Sequence, residues 1–111
     1  MRHLPVKETS DLFLVQSDLF VLQNGNLLRN PERQLSGLPL IKFSPPFTNL
    51  DDYRKRIPSL PALLDLEFLE LEGDVRFEEG VTLKGGITLI SRGDPLTVRR
   101  NAVLENTQTV Q

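Results

Sequence analysis

The sequence predicts an α+β segment that runs into a short hexapeptide β-helix. Two observations carry this expectation. The first is a stride of six within Leu69 to Leu104. Leu69, Val75, Val81 and Ile87 fall on one set of places, and Leu71, Phe77, Leu83 and Leu89 fall two places later in each unit. Apolar-x-apolar is the period of a half-buried strand, and the Gly and Asp residues that follow each pair favour a bend. The second is a shift in character near residue 61, from helical spacing and polar loops to these short β units. An insertion around Arg92-Gly93-Asp94-Pro95 resets the phase, and the pattern resumes at Leu96-Thr97-Val98 and Ala102-Val103-Leu104. Three units per coil would set Leu71 over Leu89, with Leu71, Phe77, Leu83, Leu89, Val98 and Leu104 pointing inward. A plain antiparallel sheet with coincidental spacing is the alternative. The division is residues 1–61 and residues 62–111.

Taken in order, Arg2 to Lys7, with Pro5, reads as extended chain leading into a helix. Thr9-Ser10-Asp11 supplies N-cap candidates and an acid for the first turn. Leu12, Val15 and Leu19 share one helical face, broadened by Phe13 and Leu14, and the helix ends near Ser17 or Asp18. Asn24-Gly25 lies between Phe20–Gln23 and Asn26–Arg29, which predicts a hairpin because both turn residues tolerate positive φ. A helix continuing to Gln23 with Gly25 just past its end is the rival. Asn30-Pro31 breaks the chain, and Pro39 to Phe43 makes a strand stopped by Pro45-Pro46. Thr48 is an N-cap candidate for a helix from Asn49 to about Arg56, with Leu50, Tyr53 and Ile57 as its buried stripe. Pro58 disfavours helical backbone at Ile57 and closes it. Arg54-Lys55-Arg56 complements the helix dipole on a solvated face, or offers cations to phosphate.

The 111 residues make one modest domain or a piece of a larger one. A formal net charge of −2 gives no electrostatic case for nucleic acid or an anionic membrane. There is no cysteine, hence no disulfide framework, which fits a cytoplasmic protein. No apolar run is long enough for a signal peptide or a membrane span. The single histidine, His3, limits acid–base and metal chemistry. No Cys/His metal spacing, nucleophile elbow or Gly-rich phosphate loop is present, so spacing alone names no catalytic residue and no metal ligand. Glu70, Glu72, Glu78 and Glu79 take outward or turn places.

Several stretches, in order, resemble one family. Arg2-His3-Leu4-Pro5-Val6-Lys7-Glu8-Thr9-Ser10-Asp11-Leu12 resembles the Arg-Phe-Leu-Pro-Val-Lys-Thr-Thr-Ser-Asp-Leu motif of UTP–glucose-1-phosphate uridylyltransferases, also called UDP-glucose pyrophosphorylases. Pro39-Leu40-Ile41-Lys42-Phe43 is similar to that family's Pro-Leu-Val-Lys-Leu, and Arg56-Ile57-Pro58-Ser59 to its Ser-Ile-Pro stretch. Leu71-Glu72-Gly73-Asp74-Val75, Val81-Thr82-Leu83-Lys84-Gly85 and Ala102-Val103-Leu104-Glu105-Asn106 resemble Val-Ser-Gly-Asp-Val, Val-Ser-Leu-Lys-Gly and Ala-Val-Leu-Glu-Asn. The resemblance covers this chain but only the C-terminal part of the family.

The resemblance implies a parent enzyme that joins UTP and glucose 1-phosphate, with Mg²⁺, to give UDP-glucose and pyrophosphate. It implies that residues 1–61 are the tail of a Rossmann-like nucleotidyltransferase domain. It also makes the β-helix left-handed, and a route to a homo-oligomer. Lys7 matches the motif lysine that meets substrate phosphates; without the resemblance it would read as a surface lysine before a helix. A compact ammonium on a flexible stem suits phosphate oxygens whose charge grows during transfer. His3 and Glu8 depart from the motif, and Glu8 places an acid beside Lys7. The family's nucleotide loop, sugar site and metal ligand have no counterpart here, so the chain alone is expected to be inactive and to bind no Mg²⁺. A non-catalytic assembly module that pairs with a full-length subunit is the second reading. A hexapeptide acyltransferase is disfavoured, since the repeat region has no histidine.

Overall fold

The computed structural model describes residues 7–111, so the extended segment expected before Lys7, with His3 and Pro5, lies outside the described residues. The first helix, α1 (Thr9–Gln16), starts one residue earlier than the hydroxyl candidates imply. Glu8 is its N-cap, with extended backbone. Asp11 closes the turn from inside: its carboxylate accepts from the Lys7 and Glu8 N–H groups at 3.1 and 3.2 Å. The Thr9 hydroxyl donates instead to the Phe47 carbonyl, at 2.6 Å. The buried position of α1 is Phe13, with Leu12 and Leu14 partly buried beside it, so the inward face is rotated from the one Leu12 and Val15 define.

Strands β1 (Phe20–Gln23) and β2 (Asn26–Arg29) form the expected antiparallel hairpin. Asn24 and Gly25 carry φ of 52° and 78°, so the turn takes the residues that accept left-handed backbone most readily. The following loop is held by Arg33, whose guanidinium donates to the carbonyls of Gly37 and Leu64, both at 2.9 Å.

Strand β3 (Leu40–Phe43) leads to α2 (Leu50–Arg56). Asn49, not Thr48, caps α2, its side-chain oxygen accepting from the Asp52 N–H at 3.1 Å. Three basic residues fill its last turn. Tyr53 and Ile57 are buried as expected, but Leu50 is 42% exposed. Four aromatic rings knit this lobe together. Phe13 meets Phe43 edge-on at 5.4 Å and Tyr53 at 6.5 Å, while Phe43 lies 5.5 Å from Phe47 and 6.1 Å from Tyr53. Offset and edge-on pairs at these separations add to plain area burial.

The remainder is parallel sheet: β4 (Leu66–Glu72), β5 (Val75–Phe77), β6 (Thr82–Ile90), β7 (Leu96–Val98), β8 (Val103–Glu105) and β9 (Gln108–Val110). Strand β4 pairs with β6, β5 with β7, and β6 with both β8 and β9, all parallel. Leu69 faces Ile87 and Leu71 faces Leu89, as the stride of six requires. Phe77 faces Val98 and Leu83 faces Leu104. Leu71, Phe77, Leu83, Leu89 and Val98 are buried, while Leu104, on the short terminal strand β8, is half-buried.

The left-handed hexapeptide β-helix is corrected to a parallel-sheet fold with two short helices among the described residues. Six-residue units demand a bend at Gly85-Gly86, but β6 runs through both glycines for nine residues. Gly85 has φ of 67°, and a register shift lies opposite it in β4. The strand therefore swings from β8 to β4 and β9 without leaving extended pairing, which a glycine permits and a Cβ would oppose. The sheet also begins earlier than the stride of six: β3 pairs in parallel with β4, setting Ile41 beside Leu69 and Phe43 beside Leu71. One core cluster runs from Phe13 through Leu69 to Val98.

Candidate functional site

Lys7 stands at the mouth of a cleft built by three pieces of chain. The Asp11 carboxylate ties the Lys7 backbone to the first turn of α1. The Thr9–Phe47 hydrogen bond pins that turn to the loop before α2. Strand β3 supplies the third wall: Ile41 and Phe43 alternate inward, and Lys42 between them is exposed. The resulting cleft, about 460 Å³, is lined by Lys7, Glu8, Thr9, Ser10, Ile41, Lys42, Phe43 and Thr48. A smaller hollow of about 290 Å³ continues past Lys7 toward Leu12 and Leu50.

Two ammonium groups, one carboxylate and the start of a helix thus share one open site. The first-turn N–H groups and the dipole of α1 add partial positive charge. Glu8 opposes it, as its place beside Lys7 implies. The arrangement can hold a phosphate-bearing anion through two point charges and a hydroxyl donor from Thr48, since the Thr9 hydroxyl is spent on Phe47 and that of Ser10 on Glu8. It offers no nucleophile–base pair. Among the described residues no three His, Cys, Asp or Glu side chains converge to hold a metal ion. Glu8 is the one carboxylate in the lining of the cleft, so these residues by themselves form no complete cation site.

Sequence reasoning singled out Lys7 and gave Lys42 no role. The signal was a charged residue between two apolar ones on a short strand. Only the fold, by placing β3 beside the start of α1, brings the two lysines to one cleft.

The family model described as UTP–glucose-1-phosphate uridylyltransferase matches residues 1–84. The chain belongs to the UTP–glucose-1-phosphate uridylyltransferase family. A uridylyltransferase from Pyrus pyrifolia is 46% identical over 106 residues, and one from Hordeum vulgare 44% identical over 106 residues. Each match covers 95% of this chain and 22% of the relative, so the chain spans about a fifth of the curated relatives it matches. Among solved structures, UDP-glucose phosphorylase from Trypanosoma brucei superposes with a TM-score of 0.87 at 26% identity, covering 96% of this chain and 24% of that one. A variant of UDP-glucose pyrophosphorylase from Leishmania major, solved with UDP-glucose, gives 0.86 at 20% identity, over 96% and 23%. The fold this family member shares with them is the parallel sheet with few helices. No helix among the described residues is long and apolar enough to cross a membrane.

Proposed function

We propose that this chain is a C-terminal part of a UTP–glucose-1-phosphate uridylyltransferase, whose parent enzyme converts UTP and glucose 1-phosphate to UDP-glucose and pyrophosphate in the cytoplasm. Lys7 contacts substrate phosphate in that parent, with Lys42 as its neighbour across the cleft. Residues 1–61 are the tail of the nucleotidyltransferase domain, and residues 62–111 are the β domain that follows. Mg²⁺ belongs to the parent and is not held by this chain alone, which makes no UDP-glucose by itself. The observation that carries the reading is the family match together with the convergence of Lys7 and Lys42 on one cleft.

Two assays test it. The chain alone, given UTP, glucose 1-phosphate and Mg²⁺ in a coupled assay, should produce no UDP-glucose; turnover above buffer overturns that part. In a full-length relative carrying this segment, Lys7→Ala should lower kcat/KM by about 2–4 kcal/mol of transition-state stabilisation, the loss expected for one preorganised charge contact. The fall belongs to kcat if the ammonium meets charge that develops during transfer, and to KM if it holds only the resting phosphates. Lys7→Arg should not fully rescue, because a planar fork does not replace a compact ammonium. A folded Lys7→Ala enzyme with unchanged kcat and KM removes the residue from the site.

One observation favours the second reading, a non-catalytic module that pairs with a full-length subunit. Val103 on β8 and Val110 on β9 are 61% and 50% exposed, on strands whose described pairing is to β6 alone. Co-purification with a full-length subunit would support it, and a monomeric chain that ignores such a subunit would dismiss it.

A further inference from the structure

A second cluster of cations lies away from the Lys7 cleft, where the end of α2 meets β5. Its hollow, about 250 Å³, is lined by Asp52, Lys55, Arg56 and Arg76. None of these four residues lines the Lys7–Lys42 cleft.

Asp74 organises it. One of its carboxylate oxygens accepts from Arg56 Nε at 3.1 Å and from Arg76 Nε at 3.0 Å. Its other oxygen accepts from Arg76 Nη2 at 3.1 Å. Arg56 Nη1 also approaches Asp52 at 3.4 Å. Two guanidinium groups are thereby oriented by one acid, which lowers the entropy lost when they meet a further anion. Arg56 Nη2 and Arg76 Nη1 are not used in these contacts. Lys55, exposed beside Arg56 in the last turn of α2, adds a third positive charge. Three cations against the carboxylates of Asp52 and Asp74 leave a net positive site on a chain whose formal charge is −2. Guanidinium N–H groups left over from the Asp74 contacts, with an ammonium lining the same hollow, suit the tetrahedral oxygens of a phosphate group.

We propose that this hollow binds a small phosphate-class anion, held by Lys55, Arg56 and Arg76 and bridging α2 to β5. The inference does not depend on the function proposed for the Lys7 cleft. A longer polyphosphate reaches more of the three cations than a single phosphate does, so inorganic pyrophosphate binds more tightly than orthophosphate.

The test is a titration of ¹⁵N-labelled chain with sodium phosphate, and separately with sodium pyrophosphate, at constant ionic strength. Saturable shifts are expected at the Lys55, Arg56 and Arg76 amides and at the two arginine Nε–H groups, larger and earlier with pyrophosphate. Lys55→Gln touches none of the Asp74 bonds and keeps the fold. It should weaken binding about tenfold, the order expected for losing one charge-assisted contact. Arg76→Gln should weaken it at least as much. The proposal is overturned by shifts that never saturate, by equal shifts with sodium chloride, by shifts confined to the Lys7–Lys42 cleft, or by a Lys55→Gln chain that binds as the parent does.

Discussion

The residues before and after position 61 bury apolar surface in two different ways. The earlier lobe closes around four aromatic rings, Phe13, Phe43, Phe47 and Tyr53, drawn from two helices, one strand and a loop. The later part stacks aliphatic side chains in register, Leu69 on Ile87 and Leu71 on Leu89, with backbone hydrogen bonds setting the spacing. In the lobe, the shapes and edges of rings decide the geometry. In the sheet, the pleat decides it, and the side chains need only be apolar and of similar size. The lobe leaves more apolar surface uncovered: Leu22 at the hairpin is 74% exposed and Leu40 on β3 65%. The sheet keeps its exposure at the late strands, at Val103 and Val110.

The strongest test of the contrast removes one ring from each part. Phe13→Ala and Phe77→Ala should each cost about 3–5 kcal/mol in denaturant unfolding, as buried Phe truncations do. Phe13 should cost more, since it also loses two edge-on ring contacts worth about 0.5–1.5 kcal/mol each. Leucine sharpens the comparison: Phe77→Leu, facing Val98, should recover more of the loss than Phe13→Leu. Equal recovery at both sites would erase the distinction between ring-directed and pleat-directed packing.

Tyr53 ties the aromatic lobe to high pH. Its phenol donates to Gln16 Oε1 at 3.3 Å, and burial pushes its pKa up to about 12, against a smaller opposing pull from Arg54. The folded pKa lies above the ordinary value of 10.0, so the unfolded chain ionises first. Stability from this group is full below pH 10 and declines as pH rises toward about 12, by roughly 2–3 kcal/mol in total. Tyr53→Phe should flatten that decline in alkaline unfolding curves. An unchanged slope would place the alkaline sensitivity elsewhere.

Asp74 gives the matching acid-side test, at the joint between the two parts. The Arg76 hydrogen bond, helped by the charges of Arg76 and Arg56, holds its carboxyl below the usual value despite an opposing desolvation cost. Because the folded pKa is depressed, the group stabilises the fold above the ordinary value of 3.8 and ceases to do so as pH falls through the folded value. Asp74→Asn should cost about 1 kcal/mol at neutral pH, the upper end for exposed pairs, and should soften acid unfolding below pH 4. A variant that unfolds in acid as the parent does would show that the Arg56–Asp74 contact contributes nothing to joining α2 to β5.

The smallest effect is expected on the hairpin. Leu22→Gln, on the exposed side of β1, should change stability by no more than about 0.5 kcal/mol. A larger loss in thermal unfolding would mean that the lobe uses this face, and that its aromatic centre is not self-sufficient.

Much of this was legible in the residues. Asn24-Gly25 specified the hairpin because few other pairs accept positive φ twice in succession. Alternation at Leu69, Leu71, Val75 and Phe77 identified the inward side of each strand, and the spacing placed Leu71 beside Leu89. The ordered motifs pointed to the family. Periodicity states which side of an element faces inward; it does not state which strand lies alongside, or whether a glycine turns the chain or only bends it. Those choices were made by pairing between residues far apart in sequence, where burial outweighs local preference. So β6 passed through Gly85-Gly86 unbroken, β3 joined the later sheet, and Phe13 displaced Leu12 and Val15 as the anchor of α1. The same is true of the charges. Lys7 could be named from its motif, but the cleft it shares with Lys42, and the grip of Asp74 on Arg56 and Arg76, exist only because the tertiary structure brings separate elements together.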